Sequence, residues 1–242
     1  MDHRYCKSSI NKKSSSVVFI VLVCIAIGFA QSGNTLGLIM NEPGTYEGYT
    51  LIIPKNYTST YLINNEGLLV NKWDSEYLPA MSAYLLEDGN LMRSAKVPQE
   101  GSTRTGGFEL LDWEGNVLWV YHAGRQHHDI EPLPNGNVLL ILTDARSTSE
   151  AIDAGRNPGL VSTNGVRSLR IVEVEQAGQD GGTIVWEWNL WDHLIQEFDV
   201  NKDNYDTVAD HPELIDLNYG ASNNPNWIHI NSIDYNPGFD QI

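Results

Sequence analysis

Two short runs hold side chains that can move protons or grip an anion near neutral pH: His127-His128-Asp129 and His229-Ile230-Asn231. An imidazole nitrogen is a nucleophile when neutral and a donor or acid when protonated, and both forms are reachable near pH 7. Asp129 follows His128 directly, and Asn231 stands two places after His229, so each imidazole has a polar companion at hand. Taken singly, each histidine could do no more than hydrogen-bond its neighbours. Matched placement in two repeats is what raises them to candidates for one shared cavity.

The repeat that would place them is visible along the chain. Tyr61 to Trp73 reads as strand, tight turn, strand, and Phe108 to Trp119 reads the same way 47 positions later. Each of these hairpins is followed by a second strand pair, turning at Glu87-Asp88-Gly89-Asn90 and at Pro134-Asn135-Gly136-Asn137. Glycine supplies the positive φ that such turns need, and the flanking apolar alternation fits half-buried strands. A third unit opens with strands at Ser168–Val174 and Thr183–Trp188, then carries an insertion over about 189–226 before another strand near Trp227. Four strands in roughly 45 residues, repeated, predict the blades of an all-β propeller. His127/His128 and His229 then fall at the starts of corresponding strands, the ones that line a propeller's central channel. Trp73, Trp119 and Trp186 or Trp188, each near the end of an outer strand, are expected to pack one blade on the next.

Six blades of this size need roughly 280 residues. The propeller is therefore expected to be incomplete in this chain, with residues 31–242 as its N-terminal part. Formal net charge is −16, which argues against a partner that presents phosphates, so no nucleic acid is expected. Residues 1–30 read as a signal peptide: Lys7, Lys12 and Lys13 precede the uncharged run Val17–Phe29, and Gly28 and Ala30 supply the small residues of a cleavage site. That run is short for a bilayer span, so membrane contact is expected only through an uncleaved leader. The folded part is expected to be secreted or periplasmic. Both cysteines, Cys6 and Cys24, lie in the leader, leaving the remainder without a disulfide, thiolate ligand or cysteine nucleophile.

Five segments in order carry a family likeness: Gly48-Tyr49-Thr50-Leu51, Tyr61-Leu62-Ile63, His127-His128-Asp129 with Leu133-Pro134-Asn135-Gly136-Asn137, Asp210-His211-Pro212-Glu213-Leu214-Ile215-Asp216, and Trp227-Ile228-His229-Ile230-Asn231-Ser232. Together they resemble the arylsulfotransferases. The resemblance implies a six-bladed propeller that transfers a sulfuryl group from a phenolic sulfate ester to a phenol acceptor, without a nucleotide donor, through a sulfated histidine. It places one channel histidine on His128 or His127, with the register open, and another on His229. These would bind sulfate oxygens and manage the phenol proton, with Asp129 and Asn231 beside the substrate. The nucleophilic histidine and a sulfate-binding arginine have no match here and are expected beyond Ile242; His193 and His211, in the insertion, do not match. Sulfuryl transfer spreads charge over non-bridging oxygens, so positioning and fixed donors suffice, and no metal or other cofactor is expected. An extracytoplasmic propeller that only binds ligands or partners is the alternative, and a sulfatase-like or other hydrolase using the same cavity is a further one.

Two further features bear on ions. Asp199 to Asp210 opens like a calcium loop but lacks glycine at its sixth place and ends in aspartate rather than glutamate, so it reads first as a solvated turn. Arg104, Arg125, Arg146, Arg156, Arg167 and Arg170 could form an anion funnel, although most are expected to be surface charges on loops.

Overall fold

The structure, a computed structural model, describes residues 38–101, 105–220 and 223–242. The expected leader and Arg104 lie outside the described residues. Residues 38–48 with 65–68 make one small unit, in which Asn41 Nδ2 donates to the Asn65 carbonyl and Asn65 Nδ2 donates to that of Tyr46. Residues 49–64 and 69–242 make the second unit, which contains every element named below.

That unit is all-β apart from one short helix and a few 3-10 turns. β1 (Tyr49–Ile52), β2 (Thr60–Asn64) and β3 (Leu69–Trp73) form an antiparallel three-stranded sheet. β4 (Pro79–Leu85), β5 (Leu91–Ala95), β6 (Gly107–Leu111) and β7 (Val117–His122) form a four-stranded meander. β8 (Gln126–Pro132), β9 (Val138–Arg146), β10 (Val166–Gln176) and β11 (Gly182–Asn189) form another. None of the sheets closes on itself, and the arrangement is that of an incomplete propeller. Among the described residues no helix is long and apolar enough to cross a membrane.

The turns work as their sequences imply. Gly89 and Gly136 hold φ of 85° and 87°, and their N–H groups close the turns onto the carbonyls of Leu86 and Leu133. Asp88, Asp112 and Asn135 each accept a backbone N–H from an asparagine further round the same turn. The grouping of strands, however, differs from the sequence expectation by half a unit. β5 hydrogen-bonds to β6, so each strand pair joins the hairpin that follows it, not the one before. A repeat period reports spacing and is silent about where the ladder breaks.

Packing follows from strands that are apolar on both faces. On β9, Val138, Leu140 and Leu142 face one way with Phe108, Trp119 and Ile130, while Leu139 and Ile141 face the other with Leu169, Leu190 and Leu217. Trp73 and Trp119 are fully buried, and each indole N–H reaches the next sheet: Trp73 to the Asp112 carbonyl at 2.8 Å, Trp119 to that of Gly181 at 2.7 Å. Trp186 departs from the expectation, being 41% exposed at the outer edge of its sheet.

Two segments interrupt the strands. Between β9 and β10 lies α1 (Thr148–Asp153), started by a capping box in which Ser147 and Glu150 satisfy each other's backbone N–H. After β11, the expected insertion is built from 3-10 turns and the two-residue parallel pair β12 (Leu194–Ile195) and β13 (Ile215–Asp216). Leu190, Leu194 and Leu217 from this stretch, with Ile233 beyond it, pack on the Leu139 and Ile141 face of the third sheet. The strand expected near Trp227 is not formed. Its backbone has no ladder partner among the described residues, and the Ile233 N–H goes instead to the Asp129 carboxylate.

Candidate functional site

In a regular strand His127 and His128 would point to opposite faces. They do not, because β8 carries a register shift against β9 between Gln126 and Ile130, and His128 sits at φ 55°. A left-handed conformation at a non-glycine residue costs of order 1–2 kcal/mol and persists only where surroundings enforce it. The bulge turns both rings toward His229, which the 227–235 segment brings alongside. His128 Nε2 and His229 Nε2 are 3.0 Å apart. Ring centroids are separated by 4.2 Å for His127–His128 and by 4.9 Å for each of these with His229. Thus the three histidines singled out by their sequence context form one cluster, although His229 reaches it from an extended segment and not from a strand.

Burial depresses the pKa of His127, and the neighbouring His128, His229 and Arg167 add to the effect; a backbone hydrogen bond with Ile230 works the other way. Its Nδ1 is buried without a hydrogen-bond partner. His127 is therefore held toward the neutral form, in which an imidazole offers a lone pair.

Asp129 is 8% exposed and engaged by protein donors on both oxygens. Oδ1 accepts Tyr84 O–H at 2.9 Å and Ile130 N–H at 3.0 Å, while Oδ2 accepts Ile233 N–H at 3.3 Å. It joins β4, β8 and the segment that carries His229, so its geometry is that of a strut. The same carboxylate, after burial, drives the Tyr84 phenol well above its ordinary range. Asn231, by contrast, is exposed and lines a cavity of about 560 Å³ together with His128. Leu51, Ile53, Met81 and Tyr84 supply the apolar wall of that cavity. Sequence reasoning missed this wall: its residues are spread over the first two sheets and look like ordinary strand residues.

Among the described residues the arginines do not gather into a funnel. Arg146 and Arg170 lie on strands and pair with Asp144 and Glu187. Arg156, far from being a loop surface charge, is 1% exposed; its guanidinium donates to the carbonyls of Leu160 and Leu217 and lies over the Trp227 ring. Arg167, on β10, is the one whose charge bears on His127. At the calcium-like loop, Asp199 caps its own turn by accepting from the Asn201 backbone and side chain. Among the described residues its carboxylates do not converge as a ligand set, and the histidine cluster does.

Comparison with known proteins now decides the lineage. The model of the family described as "Arylsulfotransferase (ASST)" matches residues 54–242, a span that contains β2 to β13 and all three histidines. The chain belongs to the arylsulfotransferase family. The all-β fold of this arylsulfotransferase-family chain thus agrees with the resemblance read from the sequence. No curated protein matches the chain. Among solved structures, a protein of unknown function from Bacteroides caccae is similar at 14% identity with a TM-score of 0.37, over 60% of this chain and 41% of that one. That likeness carries no argument about fold or function, and this chain spans less than half of that protein's length.

Proposed function

We propose that this chain serves an arylsulfotransferase reaction, moving a sulfuryl group from a phenolic sulfate ester to a phenol. The observation that supports it best is the cavity itself, lined by the His128 imidazole and the Asn231 amide together with Leu51, Ile53, Met81 and the ring of Tyr84. An aromatic ring fits the wall, and the sulfate oxygens would meet His128, His229 and Asn231. In the donor half-reaction a histidine nitrogen bonds to sulfur as the ester S–O bond breaks, and the departing phenolate takes a proton. In the second half, an acceptor phenol loses its proton, its oxygen bonds to sulfur, and the N–S bond breaks. The accepting histidine of this scheme has no match among residues 31–242, so the clustered imidazoles act in oxygen binding and proton handling. A phenol has an unperturbed pKa of about 10, so delivering a proton as it leaves lowers the barrier. Arg167, acting on the same cluster, favours an anionic ligand there.

In the full-length protein, His128→Ala and His229→Ala are each expected to lower release of nitrophenol from its sulfate ester by about 100-fold or more, the scale for losing a positioned donor or acid. His193→Ala, a ring stacked on Trp188 in the insertion, leaves the rate near wild type. Adding a second phenol should raise turnover, because the reaction is transfer and not hydrolysis. Wild-type rates in both cluster variants would remove the assignment. Binding of the ester with no turnover in the intact protein would make the chain part of a ligand-binding propeller.

A further inference from the structure

We propose that Met81 sets how wide an aryl group the cavity accepts, and so is a specificity-determining residue. This deepens the transfer reading above and rests on it for the nature of the substrates. Ala80, Met81 and Ser82 stand 47 positions before His127, His128 and Asp129, the same step that separates Gly89 from Gly136. The fold keeps that correspondence. Pro79 pairs with Ala95 and Ala83 with Arg93, so four steps along β4 face two along β5. Gln126 pairs with Leu142 and Ile130 with Leu140, again four against two. The first strand of each four-stranded sheet therefore bulges at the same place in the repeat, and a bulge re-aims the side chains it carries. The residue presented differs: β8 offers an imidazole, β4 a thioether.

Met81 lines the cavity of about 560 Å³ together with His128 and Asn231. Its side chain is 57% exposed and belongs to none of the core clusters, so its apolar surface is free to meet a ligand. Its backbone, by contrast, is fixed. Fully buried Ser94 takes the N–H groups of both Met81 and Ser82 on Oγ, each at 2.9 Å. The bulge is thereby held while the tip of the side chain can move. Ser82 and Ala83, the neighbouring β4 residues of the cavity, are small. Tyr84, the other large β4 side chain there, is tied by its hydroxyl to Asp129 at 2.9 Å and cannot give way. Met81 can: its side chain is unbranched, adapts to irregular shapes and makes favourable sulfur contacts with aromatic rings. The width open to a ring thus depends on the one movable side chain of that strand.

The test uses full-length protein, a fixed phenol acceptor and two donors: 4-nitrophenyl sulfate, with one ring, and 4-methylumbelliferyl sulfate, with two fused rings. Met81→Ala is expected to shift the ratio of kcat/KM for the two esters about 10-fold toward the wider one, mainly through KM, the scale for altered packing in an apolar pocket. Met81→Trp should shift it the other way, and Met81→Leu, of similar volume, should stay within about 3-fold of wild type. Val185→Ala, on the outer strand β11 and 48% exposed, should leave the ratio unchanged. An unchanged ratio in both Met81→Ala and Met81→Trp would overturn the proposal, even if both variants were slower, because an equal loss on the two esters marks a structural role. Titration with the free phenols, 4-nitrophenol by absorbance and 4-methylumbelliferone by fluorescence, separates this inference from the one beneath it. Phenol binding whose preference follows Met81, with no sulfuryl turnover, would refute only the transfer reading. Turnover with a ratio blind to Met81 would refute only this one, and neither binding nor turnover would refute both.

Discussion

Beneath the histidine cluster, two carboxylates close in sequence behave differently. Asp129 is met by three donors, whereas Glu131 is partly buried near Asp129 and Asp234, and its pKa is raised by burial first and by those charges second. The folded chain therefore holds the Glu131 proton more tightly than the unfolded chain does. Between the unfolded value, near 4.5, and the raised folded one, stability falls as pH rises; above that window the cost of the buried charge is fully present. Glu131→Gln, which keeps an oxygen for the Tyr235 N–H, is expected to raise the melting temperature at pH 7–8. The gain should vanish below about pH 4, where both states of the wild type are protonated. Thermal melts across that range check it, and a gain of equal size at every pH would mean that ionisation is not the cause.

Between elements, the strongest polar tie is Arg93, which sequence reading passed over as one more strand residue. Its side chain is fully buried on β5 and bonds Glu109 of β6 at 2.5 Å. It also donates to the Thr58 carbonyl, Thr60 Oγ1 and the Tyr77 carbonyl, fastening the first sheet to the second. Removing one partner of such a pair strands the other charge in the interior. Arg93→Ala is expected to cost about 3–5 kcal/mol in denaturant titration, and Arg93→Met with Glu109→Leu together should cost less than Arg93→Ala alone. A double variant as damaging as the summed costs of Arg93→Met and Glu109→Leu made singly would show that the two charges are not coupled. The missed helix α1 belongs to the same scale. Its Ser147-Thr148-Ser149-Glu150 capping box was legible, but six residues carry too little periodicity to stand out between long strands.

For the molecule as a whole, three sheets bury their faces serially, joined by tryptophans that reach from one sheet to a turn of the next. The expected address of the chain lies in residues 1–30, outside the described part, and is open to a direct test. In the native host, mature protein is expected to begin at Gln31, outside the cytoplasm, by N-terminal or intact-mass analysis. Full-length chain recovered in the membrane would make the leader an anchor instead.

The strands of the sheets, their turns and the 47-position repeat were legible in the sequence, and so was the set His127, His128 and His229 that the fold gathers into one cluster. Each depends on local rules: glycine at positive φ, apolar alternation, and polar residues recurring at matched places. Which strand pair joins which hairpin was not legible, because a period is unchanged when its starting point slides. Nor was the left-handed turn at His128, which no residue type announced and which, with the register shift of β8, sets two adjacent rings on one face. The hydrogen bonds of Asp129 were hidden for the same reason. Its place beside a histidine says nothing of Tyr84 and Ile233, which come from far along the chain to its oxygens, while it also lines the cavity with His128 and Asn231. Short-range preferences settle what each segment becomes; only the packing of distant segments settles which polar atoms remain free for a ligand.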